Sequence, residues 1–373
     1  MDISSLPTPA ILVDRPRAVR NIHRVQAMAS GAGLRLRPHS KTHKSPVIAR
    51  WQLDAGAVGI CCAKLGEAEI MAAAGIKDIR LPYPVNPSNA ARVLALQERS
   101  RISIIVDHKG VAQGWSDAMT KAGRSLDVLV KVDVGFHRCG ISPDDEEAAE
   151  RFVQEIARLP GLNLRGLLSH AGQAYHATSE SELASIAAHE ADVLFSLKAR
   201  LEANDVPIDE VSIGATPTFR YSVKQAGITE VRPGNYVYFD RTQVSLGAAG
   251  IDDCALTVLA TVVSKPASDR IILDCGSKTL TNDGARGIVK APGYGGVLTA
   301  DGHAFDTSLV IERLSEEHAT VRVEGTTKLE PGDRVRIVPN HSCVVSNMVD
   351  SVCLVDGHEV LHDLRVEARG RIW

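Results

Sequence analysis

Between residues 34 and 233, short apolar runs, often rich in Val and Ile, alternate with helix-length amphipathic segments. The runs are Leu34–Pro38, Ala57–Cys62, Ile79–Tyr83, Ile102–Asp107, Val128–Val134, Leu164–His170, Val211–Gly214 and Ile228–Pro233. Between them lie segments such as Gly66–Ala74, Ser88–Gln97, Lys109–Ala122 and Ser179–Asn204. Eight strand–helix units in roughly 240 residues match the size and order of a (β/α)8 TIM-type barrel. A doubly wound open sheet alternates as well, and the pattern alone leaves both open.

Ahead of this series, Ala10–Val13 reads as a strand, and Asp14–Ala32 has helical spacing with Val19, Ile22, Val25 and Met28 on one face. Ser142-Pro143 followed by Asp144, Asp145, Glu146 and Glu147 predicts a helix start: a cap, a proline at the first helical position, and acids that complement the dipole. After Asp240 the rhythm changes. Leu256–Val263, Arg270–Leu273, Ser308–Ile311, Thr320–Val323, Arg334–Val338 and Val352–Val355 are strand-like, broken by Gly, Pro, Asp and Asn, with no long helix between them. The expected division is a barrel over 1–240 and a mainly β domain over 241–373, with the strand near 8–13 a candidate to join the second.

Several function classes are disfavoured. A net charge of -3 and an aromatic content of 4% suit neither a nucleic-acid nor a membrane-surface partner. No charged start leads into an apolar core, and no run approaches the roughly 20 apolar residues of a membrane span. Seven cysteines, of which only Cys61 and Cys62 are neighbours, do not make a disulfide framework, so a reducing, cytoplasmic setting is expected.

In such a barrel, chemistry sits where strands end. The first run ends in Arg37-Pro38-His39-Ser40-Lys41-Thr42-His43-Lys44. A basic cluster is usually a solvated surface, but a lysine held at a strand end can be a Schiff-base nucleophile. The fifth run leads to Gly135-Phe136-His137-Arg138-Cys139-Gly140, where Arg138 is placed to meet an anionic oxygen. The sixth ends at His170, read equally as a site residue or a satisfied core histidine. The last two end in Gly214-Ala215-Thr216-Pro217 and Arg232-Pro233-Gly234-Asn235-Tyr236. Alone, each is a turn; together, at the ends of strands seven and eight, they match the usual barrel phosphate site. A lysine beside a phosphate cradle points to pyridoxal phosphate. A second constellation, Pro339-Asn340-His341-Ser342-Cys343, reads from spacing alone as a turn with a buried thiol. If it binds a metal, imidazole and thiolate suit zinc, with open positions for small ligands.

Taken together, these residues resemble the fold-type III pyridoxal phosphate enzymes, whose barrel is that of alanine racemase, and more narrowly the D-serine dehydratase and D-threonine aldolase group. The resemblance covers nearly the whole chain, and includes Asp274-Cys275-Gly276-Ser277-Lys278 and Leu314-Ser315-Glu316-Glu317-His318. It implies that Lys41 is the Schiff-base lysine and catalytic base. His39, Arg138, His170, Gly214, Thr216, Gly234, Asn235 and Tyr236 are then expected around the cofactor, and His341 and Cys343 around a zinc ion or another divalent metal. His137, Tyr175, His176 and Arg220 are expected to line the substrate pocket. Typical aldolases of the group resemble His-x-Asp at the metal pair, so Cys343 aligns this chain with the dehydratase branch. The implied activity is a lyase that eliminates water from a D-3-hydroxy amino acid of the D-serine, D-threonine or 3-hydroxy-D-aspartate type, giving a 2-oxo acid and ammonia. Aldol cleavage to glycine and an aldehyde is the alternative, ahead of a racemase or a non-catalytic pyridoxal phosphate carrier. The resemblance also implies a homodimer.

Overall fold

The computed structural model describes residues 1–373. Strand β1 (Ala10–Asp14) runs into the helix Arg15–Gly31, capped by the Asp14 carboxylate on the Arg17 N–H at 2.9 Å. Eight parallel strands follow: β2 (Arg35–Leu36), β3 (Ile60–Cys61), β4 (Asp78–Pro84), β5 (Arg101–Val106), β6 (Leu126–Lys131), β7 (Leu162–Leu168), β8 (Glu210–Ile213) and β9 (Glu230–Val231). They lie in the order β2-β9-β8-β7-β6-β5-β4-β3. A parallel bridge between His39 and Cys61 joins the two ends, so the sheet closes as a barrel.

Alternation along the strands decides what faces the helices and what fills the barrel. In β5, Ile102, Ile104 and Val106 belong to the large core beneath the helices. Ile105 belongs to a separate three-residue cluster with Leu129 and Leu168 inside the ring. Ser103, two residues earlier on the same face as Ile105, accepts Arg80 Nε at 3.0 Å. This level of the interior is ionic. Glu230 takes Arg37 Nε at 2.8 Å, Arg80 Nη1 at 2.5 Å and the Ser212 hydroxyl at 2.6 Å; Arg80 Nη2 reaches Glu210 at 2.7 Å.

The remaining strands are β10 (Leu256–Ala267), β11 (Arg270–Leu273), β12 (Gly295–Leu298), β13 (Phe305–Leu314), β14 (Ala319–Val323), β15 (Arg334–Pro339), β16 (Ser351–Asp356) and β17 (Glu359–Arg365). The long β10 pairs with both β15 and β11, so six strands close on themselves, and β1, β16 and β17 extend the sheet. β1 pairs antiparallel with β10 (Ala10 opposite Leu259) and parallel with β16, which ties the chain's beginning to the β unit.

The helix expected from Ser142 begins later, at Glu146. Asp145 is its cap, accepting the Ala148 N–H at 2.9 Å, while Ser142 Oγ bonds Asp144 instead. No helix is long and apolar enough to cross a membrane.

Candidate active site

Lys41 sits in the short turn Ser40–Thr42 that follows β2. Ser40 Oγ donates to the Cys61 carbonyl at 2.8 Å, fixing the turn to the barrel. On its other side, the Thr42 carbonyl accepts the Ser346 hydroxyl, and Thr42 Oγ1 lies 3.1 Å from Cys343 Sγ. Both contacts come from the helix Ser342–Asn347, so the β unit closes over the lysine. The Lys41 side chain lines the pocket. The nearby Lys44 ammonium is paired with the buried Glu67 carboxylate at 3.0 Å, and His43 bonds Gln52 at 3.2 Å, which leaves both in supporting roles.

The pocket is a cavity of about 270 Å³ at the C-terminal rim of the barrel, the size of a small-molecule site. On one wall the Arg138 guanidinium stacks over Phe136, 5.1 Å from its centroid, and Phe136 stands edge-on to His170 at 5.7 Å. His170 Nδ1 donates to the Gly214 carbonyl at 2.6 Å, since a carbonyl only accepts. Burial, then the Lys41 charge, push His39 and His170 well below the ordinary imidazole range, so both are neutral beside the lysine. The turns after β8 and β9 continue the lining. Gly234 N–H donates to Thr216 Oγ1 at 3.3 Å. Asn235 Nδ2 donates to Asp240 at 2.6 Å, leaving its buried Oδ1 without a partner.

Pyridoxal phosphate fits this residue set. A Cβ on Gly234 would lie 2.9 Å from His39 Cβ and 3.0 Å from the His39 carbonyl, so only glycine brings this backbone so close to the lysine's strand. Gly234→Ala is expected to weaken pyridoxal phosphate binding by about tenfold or more, since an inserted methyl in tight packing costs 1–3 kcal/mol. Absorbance titration of the apoenzyme measures it; unchanged affinity removes Gly234 from the cradle.

His341 and Cys343 line the same cavity. His341 Nδ1 is held by the Asp283 carboxylate at 2.6 Å. Burial opposes protonation of this imidazole, but Asp283 and Cys343 raise it to about 10. Burial likewise opposes ionisation of the Cys343 thiol, but His341 and Lys41 outweigh it and hold the thiol below its usual value. A carboxylate orienting an imidazole, with an ionisable thiol beside it, is how a metal pair is braced. No group of three or more His, Cys, Asp or Glu side chains is arranged to hold an ion here, Asp283 being taken up by the His341 ring. The set therefore fits a metal whose other positions go to small ligands.

Of the expected substrate residues, Tyr175 and His176 line the cavity. Three expected residues point elsewhere. His137 has φ +55, and its side chain is 86% exposed against Asp133; the same backbone twist, held by the Asp133 carboxylate on three successive N–H groups, turns Arg138 to the pocket instead. Arg220 bonds the Gly247 carbonyl and pairs with Glu180 at 3.2 Å, outside the cavity. The Tyr236 ring is buried in the core and its hydroxyl accepts Gln52 at 3.0 Å.

Residues that pattern reading did not assign also line the cavity: Phe136, Gly172, Arg232 and Arg286. Arg232 is buried, donating to Ser212 Oγ at 2.6 Å and to the Ser169 carbonyl. Its place after an apolar run, before Pro-Gly, was the available signal. Arg286 had none, lying in a loop without periodicity.

Residues 13–242 match the family model described as alanine racemase, N-terminal domain, and residues 255–355 match the putative serine dehydratase domain. The chain belongs to the fold-type III pyridoxal phosphate enzymes. Within them it falls in the D-serine dehydratase and D-threonine aldolase group. It is 34% identical to a D-threonine aldolase of Arthrobacter sp over 99% of this chain and 94% of that protein. It is equally identical to the D-threo-3-hydroxyaspartate dehydratase of Delftia sp. (strain HT23), over 91% of each. The solved structure of that dehydratase superposes with a TM-score of 0.89 at 32% identity, covering 98% of both chains. These relatives are lyases, and this fold-type III chain is a pyridoxal phosphate-dependent lyase.

Proposed function

We propose that this lyase removes water from a D-3-hydroxy amino acid of the D-serine, D-threonine or 3-hydroxy-D-aspartate type, giving a 2-oxo acid and ammonia. The observation that carries the reading is Cys343, set with His341 on the same cavity as Lys41. Pyridoxal phosphate supplies a carbonyl for the substrate amine and a ring that takes up charge when the α-proton leaves. The turns at Gly214–Thr216 and Gly234–Asn235 would hold its phosphate, and Arg138 its phenolic side. His341 and Cys343 would hold a divalent ion, with zinc best suited to imidazole and thiolate, and its chemistry there is Lewis acidity toward a hydroxyl. A variant of a D-threo-3-hydroxyaspartate dehydratase has been solved in a metal-free form, which supports a metal in that relative.

The chain's own groups do the rest. Lys41 has no hydrogen-bond or ion-pair partner for its amine, so it is free to carry a proton from Cα. His39 and His170, kept neutral, do not compete for that proton at neutral pH. Tyr175, whose phenol is pushed up by burial, stays protonated at the pocket wall beside Cys343. The β unit, tied to the lysine's turn through Ser346 and Thr42, limits water access.

The aldolase relative supports a second reading, cleavage of the Cα–Cβ bond. Incubation with D-threonine separates them. The expected products are 2-oxobutanoate and ammonia, abolished by chelation and restored by added zinc. Glycine and acetaldehyde as the main products would reverse the assignment.

A further inference from the structure

We propose that Arg286 is the specificity-determining residue of this site: its guanidinium receives a carboxylate on C3 of the substrate. The inference rests on the reading above and deepens it, selecting D-3-hydroxy amino acids with a second acidic group over those ending in hydrogen or methyl.

Arg286 lies in the loop between the helix Ser277–Leu280 and β12, and it lines the cavity from the β unit. The loop is held in place. Ser245 Oγ donates to the Val289 carbonyl at 2.6 Å, and Arg241 Nη1 to the Pro292 carbonyl at 2.8 Å. Gly287, at φ +106, packs so closely that a Cβ would meet Ser245 Oγ at 2.5 Å. The loop therefore presents its arginine from a fixed place.

That arginine is uncommitted. Arg92, Arg101, Arg151 and Arg200 each pair with a carboxylate on the surface. Arg286 makes no ion pair or side-chain hydrogen bond. Its acidic neighbour Asp283 is engaged with His341 at 2.6 Å. No Asp or Glu lines the cavity. The other free guanidinium there, Arg138, belongs to the cofactor's wall. A guanidinium with five donors and no bonded partner, facing a cavity whose lining carries no acid, is arranged for an incoming carboxylate.

Position chooses which carboxylate. Arg286 and His341 share a second, narrower cleft with Tyr175, Asp283 and Asp240, the last bonded to Asn235 and the Ser342 N–H, so the guanidinium stands on the His341 side of the pocket. A metal held by His341 and Cys343 would act on the 3-hydroxyl. A group on the same carbon as that hydroxyl lies toward Arg286, whereas C1 is one carbon further away.

The test uses holoenzyme, wild type and Arg286→Gln, with Arg286→Lys as the conservative control. D-aspartate and D-alanine, which lack the 3-hydroxyl, serve as calorimetric probes; steady-state rates are taken with D-threo-3-hydroxyaspartate and D-serine. Arg286→Gln should weaken D-aspartate binding by about tenfold or more, and move D-alanine by less than about twofold. The rate loss should appear in KM for the dicarboxylic substrate alone, with Arg286→Lys recovering part of it. Equal loss for both probes would make Arg286 a C1 anchor or a structural residue and overturn the proposal, as would no loss for either. If wild-type enzyme turns over neither 3-hydroxy acid, the reaction assigned above fails, while the split between the two probes still decides Arg286.

Discussion

Lys41→Ala loses turnover by at least about 10³-fold, within the range expected for a positioned acid–base group that also anchors the cofactor. Three lysines occupy this end of the barrel, and their environments separate them. Lys44 is spent on Glu67. Lys131 is buried with no ion pair, and burial first, then Arg232, depress it to about 7, but it does not line the cavity. Lys41 lines the cavity without any partner for its amine. The same absence means that alanine there removes no structural bond, so the thermal transition should stay within a few degrees of wild type. Borohydride reduction should then no longer fix pyridoxal phosphate to the peptide that carries residue 41. A variant that keeps both turnover and fixed cofactor would move the anchor to another amine, Lys131 being the first to test.

The barrel was readable because parallel strands are covered on both faces, so each appears as an apolar run. The rim was readable because glycines stand where strands end, as at Gly214 and Gly234, and both line the cavity. What escaped the pattern depends on backbone direction or on distant closure. His137 and Arg138 are adjacent basic residues, and only a positive φ at His137 decides that the second faces the pocket. Arg80, Glu210 and Glu230 sit in or beside apolar runs, and their pairing across the interior exists only once the ring has closed. β12 begins in Gly295-Gly296 and β17 is largely exposed, so neither shows an apolar strand pattern. Arg286 reaches the site from a loop of the other unit, which local periodicity cannot express.

The ionic interior leads to the second large effect. Glu230 is fully buried and accepts from Arg37, Arg80 and Ser212. Burial works against its charge, but the two guanidiniums win and hold its carboxyl at about 2, below the usual 4.5. Glu230→Ala leaves Arg37 with Asp78, and Arg80 with Glu210, as their remaining carboxylate partners. Removing one member of a buried ion network strands the others, so unfolding free energy at pH 7 should fall by about 3–5 kcal/mol in equilibrium denaturation. The sign of the pH dependence follows from the depressed carboxyl: its stabilisation is complete above about pH 4.5 and drains away as pH falls toward 2. The gap between wild type and Glu230→Ala should therefore narrow through that window. A constant gap would mean that packing, not charge, sets the loss. Function should follow, because β2, β8 and β9 carry the Lys41 turn and both cradle turns. Ser212 links Glu230 to Arg232 at the pocket floor, so weaker cofactor binding should accompany the lost stability. If stability drops by several kcal/mol while pyridoxal phosphate affinity holds, the ionic layer supports the barrel without positioning the site.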